Sequence, residues 1–350
     1  MRRRPRGKKL FVTDSDRNTH APKGPIGGES LSTDTRRIIM ADELGYCWGV
    51  RRALDIIEKA GKPEDPVATV GDVIHNPQVV DRLRSQGVQT AETIDEAATR
   101  GFKRIAITAH GAGPERAEEA KARGMELIDT TCPLVTKVQR LAQKLVKQGY
   151  YIVVYGDHYH PEVRGIISWS GTTRAVAAKK VEDLPWNAQR GASGEGVEAP
   201  PRKVAVMSQT TKMVEEFLGF TRELTDMVAR EGGEIRICNT ICEPTYERQN
   251  ALKRLASQVD MILAIGGKKS SNTARLAEVG RAFGVESYHV ESGDEIDANW
   301  LGSVENVGVT AGASTPDDVI QEIVDRLVSF GFEPPAQGIK PVDLEEVPSY

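Results

Sequence analysis

Three of the four cysteines stand where a predicted strand gives way to a helix, and their side chains are the best candidates for chemistry. They are Cys47 in Gly-Tyr-Cys-Trp-Gly, Cys132 in Asp-Thr-Thr-Cys-Pro and Cys242 in Asn-Thr-Ile-Cys-Glu-Pro. Such turns lie at the carboxyl edge of a sheet, where α/β proteins place their active groups. If the three turns converge, three soft thiolates would suit an iron–sulfur cluster with one iron left without a protein ligand.

The fourth cysteine, Cys238, lies within a predicted strand. We assign it to packing, because a free cysteine is commonly a small buried apolar residue. The same reading stays open for each of the other three taken alone. A zinc or redox pair of Cys238 with Cys242 is a further alternative, but no second pair accompanies their Cys-x-x-x-Cys spacing. The other three cysteines occupy turns flanked by Gly, Thr or Pro, which favours a shared site.

Four of the six histidines also follow predicted strands, at the same edge as the cysteines. They are His75, His110, His158 and His160. A histidine that only stabilises its turn is the alternative for each one. Three helix-opening turns rich in hydrogen-bonding side chains accompany them, namely Gln209-Thr210-Thr211, Ser270-Ser271-Asn272 and Ala313-Ser314-Thr315. Each turn alone is most simply a helix cap, but together they could hold a diphosphate through hydrogen bonds.

One carboxylate, Glu162, follows His160-Pro161 directly in these edge motifs. Its ordinary role would be an acid in the first turn of a helix, where the helix dipole favours it. The alternative role is a proton donor in a dry pocket, with the hydroxyl of Thr210 as a relay. No Gly-x-x-x-x-Gly-Lys-Ser/Thr sequence is present, so a P-loop nucleotide site is excluded.

The elements that must position these residues alternate between strand and helix, which is the pattern of parallel sheets. We predict three similar α/β units, each with one of the three cysteines at or near its opening turn. The Gly- and Pro-rich stretch 187–203 reads as a surface loop. The predicted divisions are a basic, disordered leader at 1–37, α/β domains at 38–125, 126–233 and 234–332, and a Pro-rich tail at 333–350.

Composition and charge restrict the class of protein. Residues 1–35 carry eight Lys and Arg against four Asp and Glu, so the rest is more acidic than the net charge of −4 suggests. Such a body is a poor nucleic-acid binder. The cysteines lack the pairing of a secreted framework, and no apolar run approaches the ~20 residues that span a bilayer. We predict a cytoplasmic protein, with an organelle as the alternative if 1–37 is a transit peptide.

Nine motifs, taken in order, carry a resemblance that runs from about Ile39 to Phe330. They are Gly-Tyr-Cys47-Trp-Gly-Val, Val-Ile-His75-Asn-Pro, Ala-His110-Gly, Asp-Thr-Thr-Cys132-Pro-Leu-Val-Thr-Lys, His160-Pro-Glu162-Val, Gln-Thr210-Thr, Asn-Thr-Ile-Cys242, Ser270-Ser271-Asn272 and Gly-Ala-Ser314. The set resembles the IspH/LytB family, the 4-hydroxy-3-methylbut-2-enyl diphosphate reductases of the methylerythritol phosphate route to isoprenoids. A single motif such as His-Pro-Glu would not be specific, whereas the ordered set is.

The resemblance implies three pseudo-symmetric α/β domains with small, mainly parallel sheets around a central 4Fe–4S cluster. Three irons of that cluster would be ligated by Cys47, Cys132 and Cys242, and the fourth iron would stay open for the hydroxyl group of the substrate. Protons would come from Glu162 with Thr210. The residues implied to bind or line the diphosphate substrate are His75, His110, His160, Thr210, Ser270, Ser271, Asn272 and Ser314.

The resemblance also implies the reaction and its partners. Two electrons from ferredoxin or flavodoxin would cleave the C–O bond of the substrate and give isopentenyl or dimethylallyl diphosphate. Neither nucleic acid nor a membrane is an expected partner. The enzyme alternatives are other three-cysteine iron–sulfur enzymes, such as quinolinate synthase or the diphthamide synthesis proteins. The non-enzyme alternative is an iron–sulfur sensor, which would not need a cage of neutral hydrogen-bonding side chains.

Overall fold

A computed structural model describes residues 35–74, 76–186 and 200–336, together with Gly338. His75, the side chain of Ser271 and most of the predicted leader, loop and tail therefore lie outside the described residues. Within those ranges no helix combines the length and apolar character needed to cross a bilayer.

Strands and helices alternate along the described chain, as the sequence pattern predicted. The first strand is β1 (Arg37–Met40), followed by α1 (Trp48–Ala60), β2 (Val67–Val70), α2 (Pro77–Ser85), β3 (Val88–Ala91), α3 (Ile94–Thr99), β4 (Arg104–Ile107), α4 (Pro114–Ala122) and β5 (Glu126–Asp129). Next come α5 (Pro133–Lys147), β6 (Tyr151–Tyr155), α6 (Pro161–Ser170), β7 (Ala175–Ala178), β8 (Lys203–Ser208), α7 (Val214–Arg230) and β9 (Glu234–Cys238). The last group is α8 (Glu243–Ala256), β10 (Met261–Ile265), α9 (Ser271–Ala282), β11 (Glu286–Val290), β12 (Asn306–Ala311) and α10 (Asp317–Ser329).

The strands form three sheets of four parallel strands each, which confirms the predicted fold class. Sheet one has the order β3-β2-β4-β5, and sheet two has the order β7-β6-β8-β9. Sheet three repeats this arrangement as β11-β10-β12-β1. Its fourth strand therefore comes from the start of the described chain, so the three sheets share one pattern and the last is completed by the first strand.

The strand before each cysteine does not belong to the sheet that follows it in the chain, which corrects the sequence-based assignment. Strands β5 and β9 belong to the sheets before them, and β1 belongs to sheet three. Strands β1, β5 and β9 pair with β12, β4 and β8, whereas the predicted divisions placed them in the first, second and third units. All three are half-exposed edge strands, and local periodicity reveals a strand but not its partner. The described residues group into one compact unit, so the division into three domains stays a prediction. Strand β3 was not predicted, because its four residues give little periodic signal.

The helix that follows each cysteine packs on the next sheet. Leu54 and Ile57 of α1 lie in one core cluster with residues of β2 and β3. Ala142 and Leu145 of α5 pack with β6 and β8, and Leu252 of α8 packs with β10. Each cysteine therefore marks the point where the chain leaves one sheet and enters the next.

The central strands are buried on both faces, which explains their continuous apolar sequences. Every residue of β10 (Met-Ile-Leu-Ala-Ile) is buried, and so are four of the five residues of β6. Helices cover both faces of such sheets, as the separate core clusters on the two sides of β10 show. The carboxyl ends of these strands are consequently held rigidly, which suits them to carry a site.

The side chain of Arg36 helps to hold β1 in sheet three. Its guanidinium donates hydrogen bonds to the carbonyls of Val304 (3.1 Å), Phe330 (3.0 Å) and Leu301 (2.5 Å). We expect Arg36→Gln to lower the free energy of unfolding by roughly 2 to 3 kcal/mol, because bonds from a charged donor are lost. Arg37→Gln is the matched control, since Arg37 is the next residue and is exposed at the start of β1. Equal losses in urea denaturation for the two variants would contradict this role.

Candidate active site

The three predicted cysteines occupy the same structural position, the N-cap of a helix. Cys47 caps α1, Cys132 caps α5 and Cys242 caps α8, each with extended backbone geometry. Proline follows within the first two helical positions of α5 and α8, where a missing N–H costs no helical hydrogen bond. A helix N-terminus presents free N–H groups and positive dipole charge, both of which favour a thiolate.

Each cysteine is anchored by an equivalent backbone hydrogen bond. The bonds run from Cys47 N to Ala313 O (3.2 Å), from Cys132 N to Ala109 O (3.0 Å) and from Cys242 N to Thr210 O (3.0 Å). Each acceptor lies two residues beyond the end of a strand, namely β12, β4 and β8. The bond thus fixes every cysteine turn to the loop that follows the third strand of the preceding sheet.

The sulfur atoms approach one another around Gly49, in the first turn of α1. A Cβ atom at Gly49 would lie 2.6 Å from Cys132 Sγ and 3.9 Å from Cys47 Sγ, so it would clash with the first sulfur and only touch the second. Cys242 lies within electrostatic range, because the Cys47 thiolate raises the pKa of both Cys132 and Cys242. The structure therefore places Cys47 and Cys132 side by side at Gly49, with Cys242 in electrostatic range of Cys47.

Burial keeps the thiols of Cys132 and Cys242 protonated when no positive charge is near. It raises the pKa of Cys132 to about 11, and the neighbouring Cys47 adds to the shift while the N–H groups of Leu134 and Val135 oppose it. Burial likewise raises the pKa of Cys242 to about 12, against a hydrogen bond with Thr245. A bound cationic group would reverse this balance and release the protons.

The three cysteine side chains are the metal-ligating groups that these turns provide. Among the described residues, no three His, Cys, Asp or Glu side chains close around one metal ion. Ligands of a cluster each bind a different iron, so their sulfurs stand farther apart than those of a mononuclear site. Three partly buried cysteines at three helix N-caps, with a glycine beside two of them, offer one thiol from each cysteine turn.

Glu162 lies beside the cysteines and is only 2% exposed. Thr210 donates to both of its carboxylate oxygens, from the backbone N to Oε1 (2.7 Å) and from Oγ1 to Oε2 (2.9 Å). Burial raises the pKa of Glu162 to about 7, although these bonds and the charge of Lys212 lower it in part. The Glu162 carboxylate raises the pKa of Cys132 and Cys242, which places it in electrostatic range of them. Glu162 can thus exchange a proton near neutral pH.

Two predicted histidines meet next to this carboxylate. His160 caps α6, and its Nδ1 accepts a hydrogen bond from Glu162 N (3.2 Å), so a neutral His160 carries its proton on Nε2. The ring of His110 stands edge-on to that of His160, with centroids 5.3 Å apart. Trp169 Nε1 donates to Ala112 O (2.7 Å) and holds α6 against the His110 turn. His158, in contrast, is exposed and does not join this group.

The substrate-binding residues predicted in the turns after β10 and β12 of sheet three also lie close to one another. Ser270 caps α9 and is buried, with its Oγ accepting from Thr273 N (3.3 Å). Asn272 Nδ2 is buried and has no hydrogen-bond partner within the described part of the chain. The loop of Ser314 packs on the same turn, because a Cβ at Gly312 would lie 2.1 Å from Thr273 Oγ1. A helix N-terminus with an unused amide donor suits a phosphate group.

Sequence reasoning missed two residues that shape the site. Gly49 was only part of a motif, although a glycine in a helix costs about 1 kcal/mol and signals a packing requirement. Lys212 gave no signal, because a lysine after Gln-Thr-Thr reads as a surface residue; in the fold its charge reaches Glu162.

The comparisons with known proteins agree with this geometry. The family model of the LytB protein matches residues 38–328. A relative from Geobacter sulfurreducens, named 4-hydroxy-3-methylbut-2-enyl diphosphate reductase, is 39% identical over 295 residues, which cover 84% of this chain and 97% of that protein. A relative of the same name from Dehalococcoides mccartyi is 36% identical over 84% of this chain and 98% of its own length.

Solved structures give the same answer. The structure of an (E)-4-hydroxy-3-methyl-but-2-enyl diphosphate reductase, described as the terminal enzyme of the non-mevalonate pathway, has a TM-score of 0.60 and 33% identity; the match covers 84% of this chain and 99% of that one. The Plasmodium falciparum reductase has a TM-score of 0.75 over 90% and 95% of the two chains, and at 24% identity it supports the fold alone. The resemblance drawn from the ordered motifs is confirmed, and this chain belongs to the LytB family.

Proposed function

We propose that this chain is a 4-hydroxy-3-methylbut-2-enyl diphosphate reductase. The substrate accepts two electrons and two protons, its C–O bond breaks, and the hydroxyl group leaves as water. Isopentenyl or dimethylallyl diphosphate is the product, depending on which end of the allylic unit is protonated. The observation that carries the proposal is the proximity of Cys47 and Cys132 at Gly49, with Cys242 and the Glu162–Thr210 pair in electrostatic range of them.

The proposed cofactor is one 4Fe–4S cluster held by Cys47, Cys132 and Cys242, with one iron lacking a protein ligand. Such a cluster supplies electrons and a Lewis-acidic iron for the substrate hydroxyl. The helix N-caps support the thiolate form of the ligands, and the absent side chain at Gly49 leaves space between two of them. Burial of the sulfurs keeps water from the group.

The proposed diphosphate site combines donors from all three sheets. Support comes from the edge-on pair of His110 and His160, from the N-cap Ser270 and from the unused amide donor of Asn272. These groups would bind the oxygens of the diphosphate through hydrogen bonds at helix N-termini. The remaining proposed members rest on the family resemblance, and they are His75, Ser271 and Ser314.

Proton delivery is assigned to Glu162 and Thr210. In the ionised state Thr210 Oγ1 donates to Glu162 Oε2. When Glu162 is protonated, its O–H can donate to Thr210 Oγ1 instead, which frees the threonine hydroxyl to turn toward the substrate. Thr210 can then give its proton to the allylic carbon and take a replacement from Glu162. The dry surroundings hold this proton until it is used.

Ferredoxin or flavodoxin is the proposed electron donor, and the cytoplasm is the proposed location. The substrate class follows from the names of the relatives, which are reductases of a diphosphate ester. The acidic balance of the body supports the expectation that nucleic acid is not a partner.

The cysteine assignment predicts iron content. Anaerobically purified protein should contain about four irons per chain, and Cys47→Ser, Cys132→Ser and Cys242→Ser should each lose most of that iron. Cys238→Ser is the matched control, since Cys238 lies in β9 as a packing residue, and it should keep the iron. Full iron content in any of the three variants would remove that cysteine from the ligand set.

The proton-delivery assignment predicts a selective loss of turnover. Glu162→Gln should keep the iron content and substrate binding but lose about 100-fold or more in rate, because a proton donor is removed. The assay is anaerobic turnover with reduced viologen and the hydroxylated diphosphate. Glu182→Gln, at an exposed position, should react at the wild-type rate. An undiminished rate in Glu162→Gln would exclude Glu162 from the proton path.

The pKa of Glu162 also predicts a pH dependence of stability. Because burial raises this pKa from 4.5 to about 7, the folded state prefers the neutral acid. The resulting stabilisation is complete below pH 4.5 and is lost as the pH rises through 7, a change of roughly 3 kcal/mol. For the metal-free chain, wild type should therefore lose more unfolding free energy than Glu162→Gln between pH 5 and 8. Parallel curves in urea denaturation would refute the shift.

A further inference from the structure

A buried arginine joins two of the cysteine-bearing segments. Arg248 lies on α8 and is only 3% exposed. Its Nη1 donates to Pro244 O (3.0 Å), two residues after Cys242. Its Nη2 donates to Gly45 O (2.8 Å), two residues before Cys47. The guanidinium therefore sits between the turns of two proposed ligands.

The direction of the side chain agrees with this position. Side chains on a helix lean toward its N-terminus, and the bond to Pro244 shows that Arg248 reaches back to the first turn of α8. Cys242 caps that same turn. The positive charge is thus carried toward the end of the helix that Cys242 caps.

The charge of Arg248 has no counter-ion in the part of the chain that the structure describes. The ion pairs of α8 in that part are Lys253 with Glu215 and Arg254 with Asp42, both toward the surface. The Nε of Arg248 is buried and has no hydrogen-bond partner among the described residues. Two backbone carbonyls are its only acceptors there, and these dipoles do not neutralise a permanent charge.

Three carboxylates near this junction lie at the surface. Glu43, Glu243 and Glu247 are all exposed. Glu247 is within the field of Arg248, but burial and the other two carboxylates together raise its pKa despite that positive charge. A buried, unpaired charge is strongly destabilising, so a protein rarely keeps one without an opposite charge close by.

We propose that Arg248 is the buried counter-charge of the anionic group that Cys47, Cys132 and Cys242 hold. This rests on the proposed function, because it requires the iron–sulfur cluster, whose thiolate ligands make it negative. In the interior the attraction between the two charges is little screened. The arginine would stabilise the bound cluster, and the reduced cluster most of all, because reduction adds a further negative charge.

The alternative is a purely structural clamp, in which the two hydrogen bonds merely tie Gly45 to α8. Two substitutions separate the effect of the positive charge of Arg248 from the effect of its hydrogen-bond geometry. Arg248→Lys keeps the positive charge but loses the planar fork of donors, whereas Arg248→Met loses both. Arg254→Met is the matched control, because it removes one positive charge from the exposed side of the same helix.

The experiment measures iron content and the midpoint potential of the cluster by redox titration with electron paramagnetic resonance, on the anaerobically purified full chain. Arg248→Met should shift the reduction equilibrium at least tenfold toward the oxidised form, which is about 59 mV for a one-electron couple. Arg248→Lys and Arg254→Met should each stay within threefold of wild type. Neither readout depends on turnover.

The contrary outcomes are distinct. If Arg248→Met holds the cluster at a potential within threefold of wild type, the counter-charge proposal fails and the proposed function stands. If Arg248→Met loses its iron, the Arg248→Lys variant decides between the two roles. Wild-type iron content and midpoint potential in Arg248→Lys would support the proposal. Loss of iron or a tenfold shift of the reduction equilibrium in Arg248→Lys would establish a structural clamp. If the wild-type chain holds no cluster, both the proposal and the proposed function fail.

Discussion

One backbone hydrogen bond, repeated three times, determines where the chemistry lies. Each cysteine N–H donates to the loop that follows the third strand of the preceding sheet. The same cysteine then caps a helix that packs on the next sheet. Because the chain changes sheets at each of these points, the three sulfurs are placed between sheets and not within any one of them. Loss of one such bond would free a sulfur from its neighbours.

The low polarity around these turns raises the pKa of two thiols and of one carboxyl group by different amounts. Burial raises the pKa of Cys132 and Cys242 far above neutrality, so they need a cationic group to become thiolates. The same burial raises the pKa of Glu162 only to about 7, because Thr210 and Lys212 oppose the shift. One dry region can therefore hold a metal group and store a proton beside it. Arg248 would supply the balancing positive charge.

The sequence predicted most of the individual strands and helices but little about which strands pair in a sheet. Strand β10 and the helices after the cysteines were predictable from apolar runs and helix-opening turns, and the ordered motifs identified the family. The sheet that each of β1, β5 and β9 joins was not predictable, because edge strands are short and half-exposed. The space at Gly49 and the isolation of Arg248 depend on residues distant in the chain, so only the fold reveals them.

The most direct test of the convergence of the three sulfurs is Mössbauer spectroscopy of the anaerobically purified chain enriched in iron-57. The account predicts a single cluster per chain, in which three irons share sulfur-only coordination and a fourth is distinct and changes when the diphosphate substrate is added. A spectrum of isolated mononuclear iron, or of four equivalent irons that ignore the substrate, would contradict it.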